Sequence, residues 1–270
     1  MQRPQPVPLG GAASTDLRTV LAGPPRPARV LAEFPGAAYV DVDGEVVALL
    51  APGAVRLPFA VVLPAGPPPL GVVTVGAGVV QTREAVVQVR RWWTPARPRP
   101  LASGRTDAVD DLAAALAAVD GGTDLDIVDR TEALAAGLAG RDAAVLAATV
   151  LRLVGRGPGL TPAGDDVLAG ALLAGHGGPV AARLAAALPD GMRQRTTALA
   201  AALLRAAVRG SGTTEGVAVV DAVRGHRSLA APLRRLLAVG HTSGADTALG
   251  ILVGARAAIA AAAGRHEESA

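Results

Sequence analysis

The sequence predicts an α+β protein: an N-terminal small β barrel or sandwich followed by a mostly α-helical C-terminal domain. Three observations carry this. Up to about Thr94 the chain is a series of short Val-rich runs separated by Pro and Gly. A proline- and arginine-rich stretch, Thr94–Ser103 (TPARPRPLAS), then interrupts the pattern. Beyond it, apolar residues recur at helical spacing to the end of the chain.

Residues 1–28, rich in Pro and Arg, read as a loosely ordered N-terminus without the apolar core of a signal peptide. The β-rich domain is expected over 29–94. Its strands are Val30–Phe34, Tyr39–Val42, Glu45–Leu50, Arg56–Leu63, Gly71–Val75 and Ala85–Trp93, with Asp43-Gly44 as a two-residue hairpin turn. Residues 95–104 form the linker, and 105–270 the helical domain. Asp107–Val119 places Val109, Leu112, Leu116 and Val119 on one helix face, with Thr106 as its N-cap. Further helices are expected at 131–139, 142–154, 162–175, 179–188, 191–209, 214–224, 229–239 and 243–264. No internal repeat at a fixed period is detected.

Composition narrows the function classes. Half of the 270 residues are hydrophobic yet only 2% are aromatic, so the core consists of Ala, Val and Leu. All 26 basic residues are arginine, and the formal charge is only +3, which gives little support to nucleic-acid binding. With no cysteine there is no disulfide, thiolate metal site or cysteine nucleophile. The long uncharged stretch Leu57–Thr82 is broken by Pro58, Pro64 and Pro67-Pro68-Pro69, so no spanning helix fits it. A soluble cytoplasmic protein is the simplest expectation. The arginines at 83, 90, 91, 97, 99 and 105, followed by acidic residues from Asp107 to Glu132, read as solvated faces or a subunit contact.

The most informative segment is Gly155–Gly170 (GRGPGLTPAGDDVLAG). Gly157 and Gly159 let the backbone approach a ligand. Thr161-Pro162 is a helix start, a hydroxyl N-cap followed by proline. Free N–H groups there attract anions, whereas the adjacent Asp165 and Asp166 repel them. Those two carboxylates suit Mg²⁺, or an amide or guanidinium held by hydrogen bonds. The segment is not a nucleotide-binding P-loop, since the lysine is absent. A second segment, Val239–Gly250 (VGHTSGADTALG), repeats the theme: Thr242 or Ser243 caps a helix, Asp246 lies in its first turn, and His241 sits just outside. Two such helix starts facing one pocket would make an anion site edged by Asp165, Asp166 and Asp246. Thr196-Thr197, read as mid-helix, is expected to bond back to the preceding turn. No serine shows a nucleophile pattern.

The two motifs together, G-x-G-P-G-L-T-P-x-G-D-D at Gly155–Asp166 and G-H-T-S-G-x-D at Gly240–Asp246, resemble the DUF2877 family, which includes the AllH subunit of oxamate carbamoyltransferase. The likeness is clearest in the helical half. It departs at Ala163, where relatives are expected to carry serine. The resemblance implies a subunit of a three-component enzyme of purine-nitrogen (allantoin) catabolism. The reaction moves a carbamoyl group between oxalurate plus phosphate and oxamate plus carbamoyl phosphate. Asp165, Asp166, His241 and Asp246 are then the catalytic candidates. Gly157, Gly159, Thr161, Gly164, Thr242, Ser243 and Gly244 are the substrate-binding ones. Transfer is expected to be direct, by positioning and electrostatics, with Thr161, Ser243, His241 or backbone N–H groups as oxyanion donors. FdrA-like and other transferase subunits are the implied partners, with no nucleic acid or membrane. The competing readings are a non-catalytic ligand-binding or assembly subunit, and a stand-alone metal-assisted hydrolase or lyase of a small amide.

Overall fold

A computed structural model of the chain describes residues 6–100, 107–118, 125–140 and 142–268. It divides into two compact units, Met1–Ala96 and Arg97–Ala270. The first is a closed eight-stranded barrel in the order β1-β5-β4-β3-β2-β6-β7-β8. The strands are β1 (Val7–Ser14), β2 (Arg26–Phe34), β3 (Ala37–Val42), β4 (Glu45–Leu50), β5 (Ala60–Val62), β6 (Val73–Gly76), β7 (Val79–Gln81) and β8 (Ala85–Trp93), with a short helix α1 (Arg18–Ala22) after β1. β1 pairs in parallel with β8, and β4 with β5; the other pairings are antiparallel. Closure removes the unpaired edges that open sheets must protect.

Local chemistry sets the turns. Asp43 and Gly44 both have positive φ, 49° and 96°, as a type I′ hairpin turn requires. Asp41 fixes that turn by accepting from Gly44 N at 2.8 Å. Ala77-Gly78 makes the same kind of turn between β6 and β7, with Ala77 at φ 51°. Val40, Val47, Leu49, Val61, Val75, Val80 and Val87 have no exposed surface and form the barrel core.

Two expectations for this unit need correction. Among the described residues of 1–28, the chain is ordered: Val7–Ser14 pairs along its length with β8. Arg56–Leu63 is extended only over Ala60–Val62, because Pro58 lacks the N–H that a ladder needs.

The helical unit comprises α2 (Asp107–Ala117), α3 (Leu125–Ala139), α4 (Ala143–Leu153), α5 (Ala163–Gly175), α6 (Pro179–Ala187), α7 (Ala198–Val208), α8 (Thr214–Val223), α9 (Ala230–Leu237) and α10 (Ser243–Glu268). The N-cap expected at Thr106 lies outside the described residues. α5 is buried on nearly every side, from Gly164 to Gly175. A helix apolar all round can be stable only when enclosed, and α4, α6, α7, α8 and α10 enclose it. Its carbonyl end is closed by the buried Arg224, which donates to Ala174 O at 2.9 Å and His176 O at 2.8 Å. Ser243–Ala263 of α10 is long and apolar enough to cross a membrane; here its Ala248, Ile251, Leu252 and Ala255 lie in the core beside α5.

The α5–α10 contact depends on glycine. A Cβ on Gly250 would stand 2.0 Å from Val167 O, and one on Gly170 would stand 2.2 Å from Thr247 O. Each contact is the image of the other with a shift of 80 residues (170 with 250, 167 with 247). The two helices are thus related by a local two-fold, in which i touches j and j touches i. The likeness extends to the preceding helices, since α4 and α9 each end against the start of the next, but the unequal connecting loops leave no fixed period in the sequence.

Candidate functional site

The pseudo-two-fold brings the starts of α5 and α10 together. In each, the second helical residue is a glycine pressed on the end of the preceding helix. A Cβ on Gly164 would meet Leu153 O at 2.1 Å, and one on Gly244 would meet Leu236 O at 1.9 Å. Both glycines were expected to face substrate, but both are buried against backbone, which gives them a packing role. The fourth helical residue is Asp166 in α5 and Asp246 in α10. Both are buried, at 6% and 1% exposure.

The loop before α5 is tied down by side chains from three directions. Gly155, at φ 74°, donates its N–H to Asp165 Oδ1 at 3.0 Å. Thr196 donates its hydroxyl to Asp165 Oδ2. Thr197 donates to Leu160 O at 2.5 Å and caps α7 through Ala200 N at 3.0 Å. Thr196 and Thr197 are therefore not mid-helix: the expected helix 191–209 is a 3₁₀ turn (Met192–Gln194) followed by α7. A hydroxyl pair just before an Ala/Leu run was the available signal, since it is an N-cap pattern.

Thr161 does not cap α5. Pro162 occupies the N-cap position without a side-chain bond, and Gly164 N finds Arg156 O at 2.9 Å instead. The Thr161 hydroxyl lies 2.8 Å from the Ser243 hydroxyl, linking the two motifs across 82 positions of sequence. Both hydroxyls lie beside the Asp166 carboxyl and favour its charged form. Thr242 immediately precedes α10, its carbonyl accepting from Asp246 N at 3.0 Å. The motifs touch directly; the two cavities described in the molecule lie elsewhere. Gly157, Pro158 and Gly159, at the crest of the loop, are exposed, as is His241. His241 makes no described hydrogen bond.

The two adjacent carboxylates differ in chemistry. Asp165 has both oxygens engaged by the protein, so it holds the loop in place. Burial raises its carboxyl above the ordinary range, against the pull of the Thr196 and Gly155 bonds. Asp166 keeps one oxygen, Oδ2, without a hydrogen-bond partner. Burial pushes its carboxyl well above the usual range, the Ser243 hydroxyl opposes this, and the charges of Asp246 and Asp165 push it further. Among the described residues no three His, Cys, Asp or Glu side chains are arranged to hold a metal. Asp165 has no oxygen left for a cation, so of the pair only Asp166 could serve one, alongside oxygens of a substrate. Burial beside Asp165 and Asp246 favours a proton on Asp166.

The family model described as oxamate carbamoyltransferase subunit AllH matches residues 153–255. That range runs from the last residue of α4 into α10 and contains both motifs, while the barrel lies outside it. No solved structure matches the chain.

Proposed function

We propose that this chain is a subunit of a carbamoyltransferase of the oxamate/oxalurate type, with carbamoyl phosphate as partner substrate, in purine-nitrogen (allantoin) catabolism. The family match supports the coarse reading. One observation carries the mechanism: a buried Asp166 carboxyl, one oxygen unpartnered, beneath the Thr161–Ser243 hydroxyl pair that joins the two motifs. A carboxyl held neutral at working pH can donate a proton, as catalytic acids do. In the catabolic direction, phosphate oxygen attacks the ureido carbonyl carbon of oxalurate. The C–N bond to the oxamate nitrogen then breaks, the departing nitrogen takes the proton that Asp166 holds, and the proton given up by the attacking hydrogen phosphate restores the Asp166 carboxyl. Thr161, Ser243 and the exposed Gly157–Gly159 backbone position the carbonyl, and FdrA-like subunits complete the enclosure. The test is Asp166→Asn in the assembled enzyme. Turnover should fall at least about 100-fold, within the usual range of general acid catalysis, with assembly and folding intact. Unchanged turnover removes Asp166 from the chemistry.

A second reading is favoured by the mutual bonding of Thr161 and Ser243 and by the direct contact of the motifs. In it the chain is a non-catalytic assembly subunit whose loop crest, Gly157–Gly159, docks on a partner. Retained turnover with Asp166→Asn, but lost assembly with Gly159→Trp, would select it.

A further inference from the structure

Both tryptophans of the chain, Trp92 and Trp93, stand side by side at the end of β8 and line a groove of about 720 Å³ in the barrel unit. The groove is within the size range of small-molecule sites. Its other walls are Arg56, Arg90, Arg91, the apolar Pro52, Val62 and Pro64, and β1 at Gly10–Ala12. Gly10 leaves the floor open; a Cβ there would crowd the Arg90 stem at 3.3 Å.

Charge is what distinguishes this surface. Arg18 stacks on the Trp92 ring at 4.4 Å, and Arg56 on the Trp93 ring at 5.2 Å. Trp93 is in turn held by its indole N–H on Ala12 O at 3.2 Å. Stacking fixes the guanidinium planes and leaves their N–H edges available. Among the described residues no carboxylate pairs with Arg18, Arg56, Arg90 or Arg91, whereas Arg26 and Arg29 of the same barrel pair with Asp43 and Asp41. All four arginines without a carboxylate partner are exposed, Arg90 donating to the Gln88 side chain, and Trp92 is 38% exposed. By contrast, the cavity of about 390 Å³ at the carbonyl end of α5 has its buried Arg224 bonded to three backbone carbonyls.

We infer that this groove is a second ligand site, separate from the glycine motifs, that binds a multiply charged phosphate anion of nucleotide size. Guanidinium forks match phosphate oxygens, three lining arginines with Arg18 stacked on Trp92 beside them call for more than one phosphate, and the volume admits a nucleotide. Because both indoles lie in the groove, intrinsic tryptophan fluorescence reads it selectively. The full chain is titrated with ATP, inorganic tripolyphosphate, adenosine and a polyglutamate peptide. ATP and tripolyphosphate should change the emission saturably, with affinity falling as salt is added, and adenosine should not. Equal affinity for the two means that the phosphate chain is recognised alone; tighter ATP means that the base is read as well. The double variant Arg56→Ala, Arg90→Ala should weaken binding roughly tenfold or more with an unchanged melting curve. If that variant fails to fold, Arg91→Ala alone should still weaken binding. No saturable response to either phosphate, equal affinity in a folded variant, or a response to polyglutamate alone overturns the inference. None of these readouts involves turnover, so the outcome is independent of the carbamoyltransferase reading.

Discussion

The α5 and α10 helix starts descend to the same geometry by different routes. Each has a glycine wedged on the preceding helix end and an aspartate at its fourth position. Around α10 the approach is short, residues 238–242; before α5 it is longer, 154–162, and adds Asp165, Thr161 and an exposed Gly157–Gly159 crest. The added residues are the ones that reach across: Asp165 secures the loop and Thr161 meets Ser243. The shared glycines build the scaffold, and the candidate site combines the shared aspartate at position 166 with the unshared Thr161 and loop crest. Likeness between two motifs can therefore mark packing as readily as chemistry.

Substitutions can break this comparison, and the largest effects belong to the scaffold. Gly250→Ala and Gly170→Ala should each destabilise by about 3 kcal/mol or more, since backbone on both sides prevents relaxation. Gly159→Ala, with open space at its Cβ but φ 90°, should lose only about 1–2 kcal/mol. Denaturant midpoints measure both, and equal losses would contradict the division between scaffold and loop crest.

Next come the adjacent aspartates. Asp165→Ala orphans Gly155 N–H and the Thr196 hydroxyl, for a loss of about 1–3 kcal/mol. Asp166→Asn should behave differently with pH. The native Asp166 carboxyl titrates above its unfolded counterpart, so its contribution to stability is complete below the ordinary carboxylate range and is lost as pH rises through its folded value. The amide cannot ionise. Thermal melts should show Asp166→Asn gaining on the native chain as pH climbs from about 4 towards neutrality, while a constant difference would mean that the folded and unfolded carboxyls titrate alike.

The hydroxyl link is smaller. Thr161→Val and Ser243→Ala should each lose about 1 kcal/mol, and the double variant less than their sum, because they share one bond. The smallest effect is His241→Ala, within about 0.5 kcal/mol, as its side chain is exposed. A large loss there would reveal a contact that the fold does not show.

Much of this was legible in the residues. Glu45–Leu50 and Ala85–Trp93 form strands with the expected bounds, and the Asp43-Gly44 turn has the expected hand. These signals are local. What failed was non-local or sterically unusual. β1 is hidden by its Pro and Gly content, and only its pairing with β8 makes it a strand. β7 follows a turn whose Ala77 lies at positive φ, which alanine seldom adopts. The motifs themselves were readable as helix starts and they do meet, but by direct contact of Thr161 with Ser243 and not around the expected pocket. The wider likeness of the two helix pairs was not readable, because the unequal approach loops shift its register outside the helices. Nor could spacing tell that Gly164 and Gly244 face carbonyls, or that Asp165 and Asp166, one residue apart, have opposite hydrogen-bonding fates.

The proton on Asp166 is the most direct point of test. Difference infrared spectroscopy of the native chain against Asp166→Asn, across a pH titration, reports the protonated carboxyl stretch of this residue alone. The account predicts that the band persists at neutral pH and disappears only well above the ordinary carboxylate range. A band that vanishes near pH 4, about where an exposed aspartate titrates, would contradict it.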